Sequence, residues 1–186
     1  MWAWILRGSG VKMLKKYVFA GAAYSGKTTM LNEMAKLGFQ TVPEAARQII
    51  EEQIAKGGTL LPWINRRGFE LLYLERMLEA ESRFSEGTVF FDRALPDSLA
   101  YHKIYDACPE CIEHVKNSHY DAVFILEMIP GYNMDDVRQF DIEHEKRMQK
   151  AIEEAYSETG NRIIKVPAMS IEKRVELVLA NIEVNK

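Results

Sequence analysis

Hydrophobic and polar positions along the chain fall into two kinds of block, short apolar runs and longer amphipathic ones. The short runs predict strands at residues 16–20, 40–42, 88–91, 122–126 and 162–166. The longer ones predict helices at residues 27–37, 44–56, 62–84, 97–105, 109–117, 141–159 and 171–181. In the longest of these, apolar side chains recur every three or four residues, at Phe69, Leu72, Tyr73 and Met77. Strands that are apolar on both faces are typical of a sheet covered by helices on both sides.

This alternation of strands and helices predicts a fold of the α/β class, a three-layer α/β/α arrangement around a doubly wound parallel sheet. In such sheets, ligands bind in the crevice at the carboxyl ends of the strands. A length of 186 residues suits a single domain. We expect that domain at residues 13–186, after a flexible N-terminal extension at residues 1–12 that contains the linker-like RGSG.

The composition of the chain argues against several classes of protein. A net charge of -3 argues against a nucleic-acid partner, and no apolar run reaches the ~18 residues that a membrane span needs. The two cysteines, Cys108 and Cys111, make no disulfide framework and indicate a reducing, cytoplasmic setting. We expect them to act in helix capping and packing. Zinc would need two further ligands, for which only His114 and His119 lie close in the sequence.

The segment GAAYSGKT, residues 21–28, matches the phosphate-binding motif G-x-x-x-x-G-K-[ST] and stands between a predicted strand and a predicted helix. Its glycines let successive backbone N–H groups point at phosphate oxygens, and the helix N-terminus adds a partial positive charge. Lys27 can reach the β- and γ-phosphates, and the Thr28 hydroxyl can ligate Mg²⁺. We expect ATP to contact Gly21, Ala22, Ala23, Tyr24, Ser25, Gly26, Lys27, Thr28 and Thr29.

Three classes of protein share this loop. A GTPase carries N-K-x-D for guanine, and the sequence has none. An AAA+ motor ends its Walker B strand in an acidic pair, whereas the run FILE supplies only Glu127. A small-molecule kinase needs a metal-organising acid, a base near the acceptor hydroxyl and arginines that neutralise the transferred phosphoryl group.

The parts that a kinase needs follow two predicted strands. The run FFDR ends the third strand with Asp92, suited to hold Mg²⁺ opposite Thr28, and with Arg93, suited to grip the acceptor. The run VPEAARQ ends the second strand with Glu44, which can take the acceptor's proton as general base, and places Arg47 one turn later. The alternative for Glu44 is an ordinary helix start, where a carboxylate suits the helix dipole.

In this order, GAAYSGKTT, VPEAARQII, FDRALPDSLAY and VPAMSIEKRVELVL resemble the kinase-type AAA domain family. The nicotinamide riboside kinase part of NadR-type proteins is its best-known member. The resemblance runs over about residues 17–182 and implies a five-stranded parallel sheet like that of deoxynucleoside and thymidylate kinases. It also implies that Lys27 and Thr28 bind ATP and Mg²⁺, that Asp92 organises the metal, and that Glu44 and Arg93 face the acceptor. It leaves the acceptor open.

A polar segment at about residues 129–147 is expected to be a lid that closes over the phosphates and supplies arginines. Arg138 is the first choice and Arg147 the second, with a solvated helix face as the alternative for Arg147. The turn at Pro167 follows the last strand, where related kinases bind the adenine.

The resulting prediction is a phosphotransferase that moves the γ-phosphate of ATP to a small hydroxyl-bearing metabolite, with nucleosides leading. The alternative is a regulatory nucleotide-binding module that hydrolyses slowly and has no small-molecule acceptor. A nucleic-acid-binding ATPase is disfavoured by the net charge of -3. The oligomeric state stays open, with a homodimer as the alternative to a monomer.

Overall fold

The computed structural model describes residues 13–130 and 142–183. Its strands are β1 (Leu14–Ala20), β2 (Gln40–Val42), β3 (Gly87–Asp92), β4 (Ala122–Leu126) and β5 (Ile163–Val166). Its helices are α1 (Lys27–Lys36), α2 (Ala45–Ala55), α3 (Arg66–Ser82), α4 (Leu95–Tyr105), α5 (Cys111–Lys116), α6 (Ile142–Glu158) and α7 (Ile171–Asn181). The expected extension at residues 1–12 and the central part of the expected lid, with Arg138, lie outside the described residues.

The five strands form one parallel sheet in the order β2-β3-β1-β4-β5. Strand β1 lies at the centre, and its register pairs Phe19 with Asp92 of β3 and with Phe124 of β4. The chain therefore leaves β1 and β3 at the same edge of the sheet. The predicted three-layer α/β fold with a five-stranded parallel sheet is confirmed.

Alternating side chains of β1 enter two separate cores, as the pleat of a strand requires. Val18 and Ala20 face the layer that includes α3, α4 and α6, whereas Tyr17 and Phe19 face α1 and α7. On the second face the rings of Phe19 and Phe90 stack with centroids 5.3 Å apart. Each fully buried phenylalanine contributes about 1.5–3 kcal/mol to stability. This makes the central strand a rigid platform for the loop that follows it.

Helix α3 begins at Arg66 and not at residue 62, where the sequence pattern predicts its start. Asn65 caps the helix, because its side-chain oxygen accepts a hydrogen bond of 2.9 Å from the N–H of Gly68. Pro62 and Trp63 therefore precede the helix, and both line a cavity described below. The apolar periodicity is continuous through this region and does not reveal the cap.

The two cysteines correct the sequence-based expectation. Cys108 and Cys111 are joined by a disulfide with an S–S distance of 2.07 Å, and both are fully buried where α4 gives way to α5. The bond closes a local loop, so it is no framework between distant elements, but two disulfide-bonded cysteines no longer indicate a reducing compartment. Zinc has no support either, since no group of three or more potential metal-binding side chains occurs within residues 13–130 and 142–183.

No helix in the part of the chain that the structure describes is both long and apolar enough to cross a membrane.

Candidate functional site

The loop between β1 and α1 has the backbone that its glycines predict. Gly21 has φ 134° and Gly26 has φ 85°, in the region that favours glycine. A Cβ atom on Gly21 would also lie 2.6 Å from the carbonyl oxygen of Leu126. Tyr24 takes φ 58° at the tip. The sequence GAAYSGKT thus folds into the cradle of backbone N–H groups that characterises phosphate-binding loops.

Lys27 lies at the start of α1 and folds back under this loop. Its Nζ donates hydrogen bonds to the carbonyl oxygens of Gly21 at 2.9 Å and Ala22 at 2.8 Å, and the residue is only 7% exposed. Burial, followed by the positive charge of Arg93, lowers the pKa of Lys27 to about 8. The ammonium is therefore a poorly compensated buried charge, which an anion at the loop would stabilise.

Thr28 and Asp92 face each other across the carboxyl ends of β1 and β3. The Thr28 hydroxyl donates a hydrogen bond of 2.7 Å to Oδ2 of Asp92, whereas Oδ1 of Asp92 is buried and has no hydrogen-bond partner within the described residues. Burial raises the pKa of Asp92, although the charge of Lys27 opposes this. A hydroxyl beside an unpaired carboxylate oxygen fits Mg²⁺, which takes one or two protein oxygens plus phosphate oxygens and waters.

Arg93 turns sharply out of β3 with φ 68°, a strained backbone for a residue other than glycine. Its buried guanidinium donates hydrogen bonds of 3.0 Å to Oε1 of Glu44 and to Oδ1 of Asp97. Burial alone would raise the pKa of Glu44, but the charges of Arg93 and Lys27 outweigh it and leave that pKa below its ordinary value. Glu44 is therefore ionised near neutral pH and fixed in position.

Asp97 is a site residue that the sequence analysis missed. Besides Arg93, it accepts hydrogen bonds from the N–H of Ala94 at 3.0 Å and from the Tyr156 hydroxyl at 2.6 Å. It therefore anchors Arg93 to α6. In the sequence Asp97 looks like a helix-starting residue, and the spacing of four residues from Arg93 is the only signal that could have paired them.

A cavity of about 440 Å³ has the Arg93–Glu44 pair in its wall. A volume of this size accommodates one small metabolite. None of its lining residues in the described part of the chain belongs to the phosphate loop. The cavity is lined by Glu44, Ala46, Arg47, Ile50, Pro62, Trp63, Arg66, Phe69, Glu70, Tyr73, Arg93, Asp97 and Tyr101.

Helix α6 contacts the phosphate loop directly, which the sequence analysis also missed. Oε1 of Gln149 accepts a hydrogen bond of 2.7 Å from the N–H of Ala22, and Oε2 of Glu145 accepts one of 2.9 Å from the N–H of Ala23. Glu145 is buried although its helix is rich in charge. Two loop N–H groups therefore bind this helix in the structure.

Arg174 of α7 is the third missed residue. Its fully buried guanidinium donates to the carbonyl oxygens of Ser25, Glu127 and Pro167. These three oxygens belong to the loops that follow β1, β4 and β5. The guanidinium therefore ties three loops at one edge of the sheet into a single unit.

The remaining predicted residues are spread around this centre. Pro167 is exposed beside Arg174 at the end of β5, and Thr29 is exposed on α1. Arg147 is an exposed residue of α6. Glu127 is exposed and accepts a hydrogen bond from the N–H of Ala168.

A parallel five-stranded sheet, a glycine-bent phosphate loop and an Asp-Arg pair at the end of the neighbouring strand define a phosphate-loop NTPase fold of the nucleoside-kinase type. A family model described as an AAA domain matches residues 16–174. The chain therefore belongs to this family of phosphate-loop, kinase-type AAA domains, as the resemblance of its motifs indicates. No curated protein sequence matches the chain.

Solved structures of two kinases and of NadR protein share the fold. Deoxyadenosine kinase from M. mycoides, with the products dCMP and dCDP bound, is 20% identical with TM-score 0.64, over 89% of this chain and 96% of that one. Thymidylate kinase from Ehrlichia chaffeensis is 14% identical with TM-score 0.62, over 90% and 98%. NadR protein in complex with NR is 16% identical with TM-score 0.70, over 94% of this chain but only 54% of NadR. The present chain thus spans about half the length of NadR.

Proposed function

We propose that the protein is an ATP- and Mg²⁺-dependent phosphotransferase that moves the γ-phosphate of ATP to a hydroxyl group of a nucleoside-like metabolite. The observation that carries the proposal is the position of Arg93. It follows Asp92 at the phosphate-loop edge of the sheet, and its ion pair with Glu44 at 3.0 Å lines a cavity of about 440 Å³. An enzyme that transfers phosphate to water needs no cavity of this size beside its phosphate loop, because water is its only acceptor.

The buried charged residues of the site each have a proposed role in this reaction. The acceptor hydroxyl oxygen forms a bond to the γ-phosphorus while the bond from that phosphorus to the bridging oxygen of ADP breaks. Glu44 accepts the hydroxyl proton, which needs little base strength because phosphoryl transfer depends mainly on positioning and charge stabilisation. Lys27 and the loop N–H groups stabilise the charge on the transferred group, and Arg93 orients the acceptor. Mg²⁺, held by Thr28 and Asp92, would neutralise the phosphates.

The rest of the proposed site rests on sequence. We assign Arg138 to a lid at about residues 129–147 that excludes water during transfer, and Pro167 to backbone contact with the adenine. We assign the protein to the cytoplasm because ATP, its proposed co-substrate, is available there.

The test is ATP consumption with Mg²⁺ across nucleosides, nicotinamide riboside, nucleoside monophosphates and sugars, with the products identified by mass spectrometry. Glu44→Gln and Asp92→Asn are compared with the wild type, and Asp106→Asn is the control because the Asp106 side chain is 97% exposed. An acceptor that raises turnover at least about 100-fold and becomes phosphorylated, with only the first two variants impaired, supports the kinase. Slow turnover that ignores every acceptor and is unchanged by Glu44→Gln favours the regulatory module.

A further inference from the structure

The proposed mechanism leaves one buried carboxyl group of the cavity unused. Glu70 lies on α3, is 3% exposed and lines the cavity. No hydrogen bond joins its carboxyl group to another residue of the described chain, and the charges that act on it are those of Arg66 and Asp97. Arg66 does not serve as its partner, because the guanidinium lies over the ring of Tyr105 at 3.9 Å.

The other acids of the cavity differ from Glu70 in this respect. Glu44 accepts from Arg93, and Asp97 accepts from Arg93, Ala94 and Tyr156. A buried carboxyl group without donors is costly, and most buried polar groups in proteins have partners. A ligand in the cavity can supply hydrogen-bond donors to the carboxyl group of Glu70.

The cavity around Glu70 suits a flat ring. Its walls include Trp63, Phe69, Tyr73 and Tyr101, and aromatic side chains pack well against planar heterocycles. A volume of about 440 Å³ is large enough for a purine with its sugar. The Glu44–Arg93 pair, at which the acceptor hydroxyl reacts, lies in the same cavity.

We propose that Glu70 selects an acceptor whose ring presents two adjacent N–H donors, the pattern of a guanine-type nucleoside. Neither carboxylate oxygen of Glu70 accepts a hydrogen bond from the described residues, so two side-by-side N–H groups would satisfy both at once in a bidentate arrangement. The 2-amino group and the ring N–H of guanine form such a pair. A ring that offers one donor beside a carbonyl leaves one carboxylate oxygen facing another acceptor. This inference rests on the proposed function, because it assigns the ring of the same acceptor.

The pH dependence of binding gives a check that needs no variant. Burial, reinforced by Asp97 and opposed by Arg66, raises the pKa of Glu70 to about 7. Two N–H donors favour the ionised carboxylate, so the affinity for guanosine should rise as the pH increases through 7. The charged and titratable groups that share the cavity with Glu70 are Glu44, Arg47, Arg66, Tyr73, Arg93, Asp97 and Tyr101.

The experiment compares guanosine with inosine, which lacks only the 2-amino group, by calorimetry without ATP and by phosphorylation with ATP. We expect the wild type to bind guanosine at least about 10-fold more tightly. Glu70→Gln presents one acceptor and one donor, so it should lose this preference or reverse it towards inosine. Glu75→Gln, an exposed change on the same helix, should keep it. The guanosine-to-inosine ratio is taken within each variant, so partial unfolding does not alter it.

Each outcome decides the inference separately from the kinase reaction. Equal affinities in the wild type, tighter binding of inosine, or no binding of either nucleoside overturn the inference. A phosphorylated acceptor whose selection is unchanged by Glu70→Gln also overturns it and leaves the proposed function standing. A guanosine preference that depends on Glu70, without any phosphorylation, supports the inference and contradicts the kinase.

Discussion

The backbone N–H of Ala23 in the phosphate loop donates a hydrogen bond of 2.9 Å to Oε2 of Glu145 on α6. A carboxylate therefore stands at a loop whose function is to attract phosphate. We expect Glu145→Gln to bind Mg·ATP about 3- to 10-fold more tightly, because the amide can still accept from Ala23 but no longer repels the triphosphate. Calorimetric titration measures the change.

The control for this prediction is Glu154→Gln, an exposed change on the same helix that should leave the affinity unaltered. Weaker binding by Glu145→Gln would contradict the repulsion. It would mean that the negative charge of Glu145 holds the loop in its binding shape.

The buried ammonium of Lys27 predicts how nucleotide binding depends on pH. Its pKa in the free protein is lowered to about 8, first by burial. Bound phosphates favour the protonated form, so the affinity for Mg·ATP should be full below about pH 8 and should fall as the pH rises above it. Lys27→Arg stays charged throughout and should show a flat profile, at a lower overall affinity. An identical decline in this variant would assign the titration to another group.

Arg174 is expected to stabilise the nucleotide site, because it holds together the loops that follow β1, β4 and β5. Arg174→Met removes a buried guanidinium that donates to three backbone carbonyl oxygens. Leaving these acceptors unpaired should lower the free energy of unfolding by about 2–4 kcal/mol and weaken Mg·ATP binding at least about 10-fold, while acceptor binding changes little. Lys173→Met, an exposed change on the same helix, is the matched control. Equal losses for both ligands would indicate general destabilisation only.

Replacement of Asp92, which with Thr28 is a proposed ligand of Mg²⁺, should change the Mg²⁺ concentration that turnover requires. Chelation with EDTA should abolish turnover in the wild type. Asp92→Asn should raise the Mg²⁺ concentration needed for half-maximal turnover roughly 10- to 100-fold, because the neutral amide is a weaker magnesium ligand. A metal titration of turnover measures this, and an unchanged requirement would remove Asp92 from the metal site.

Glu70 should also affect stability in a pH-dependent way. Its pKa is about 7 in the folded protein against an ordinary value of 4.5, so the folded state holds the proton more tightly than the unfolded state. The wild type should therefore lose about 3 kcal/mol of stability relative to Glu70→Gln as the pH rises from about 4.5 to above 7. Urea denaturation of both proteins across this range checks the sign. A constant difference would show that Glu70 does not titrate there.

The sequence predicts those parts of the site that are local in the chain. The loop at residues 21–28, Asp92 and Arg93 directly follow apolar strands, and a parallel sheet brings such strand ends together. Glu44 is brought to them by the same rule, since β2 pairs with β3.

Contacts between distant segments could not be predicted in this way. Glu145 and Gln149 stand in a helix full of charge, where a buried acid looks like any solvated one, and they lie more than 120 residues from their loop partners. The role of Arg174 depends on three carbonyl groups, which carry no side-chain signal. The disulfide between Cys108 and Cys111 is local, but the spacing C-x-x-C alone does not distinguish a disulfide from two free thiols.

Helix α6 touches both halves of the site. Through Glu145 it meets the phosphate loop, and through Tyr156, three turns or about 16 Å further on, it meets Asp97 and so the arginine at the acceptor cavity. A packed helix moves as a stiff rod. When one end shifts, the other end shifts with it. Binding of one substrate of the proposed reaction can therefore change the position of residues at the site of the other substrate, and so its affinity.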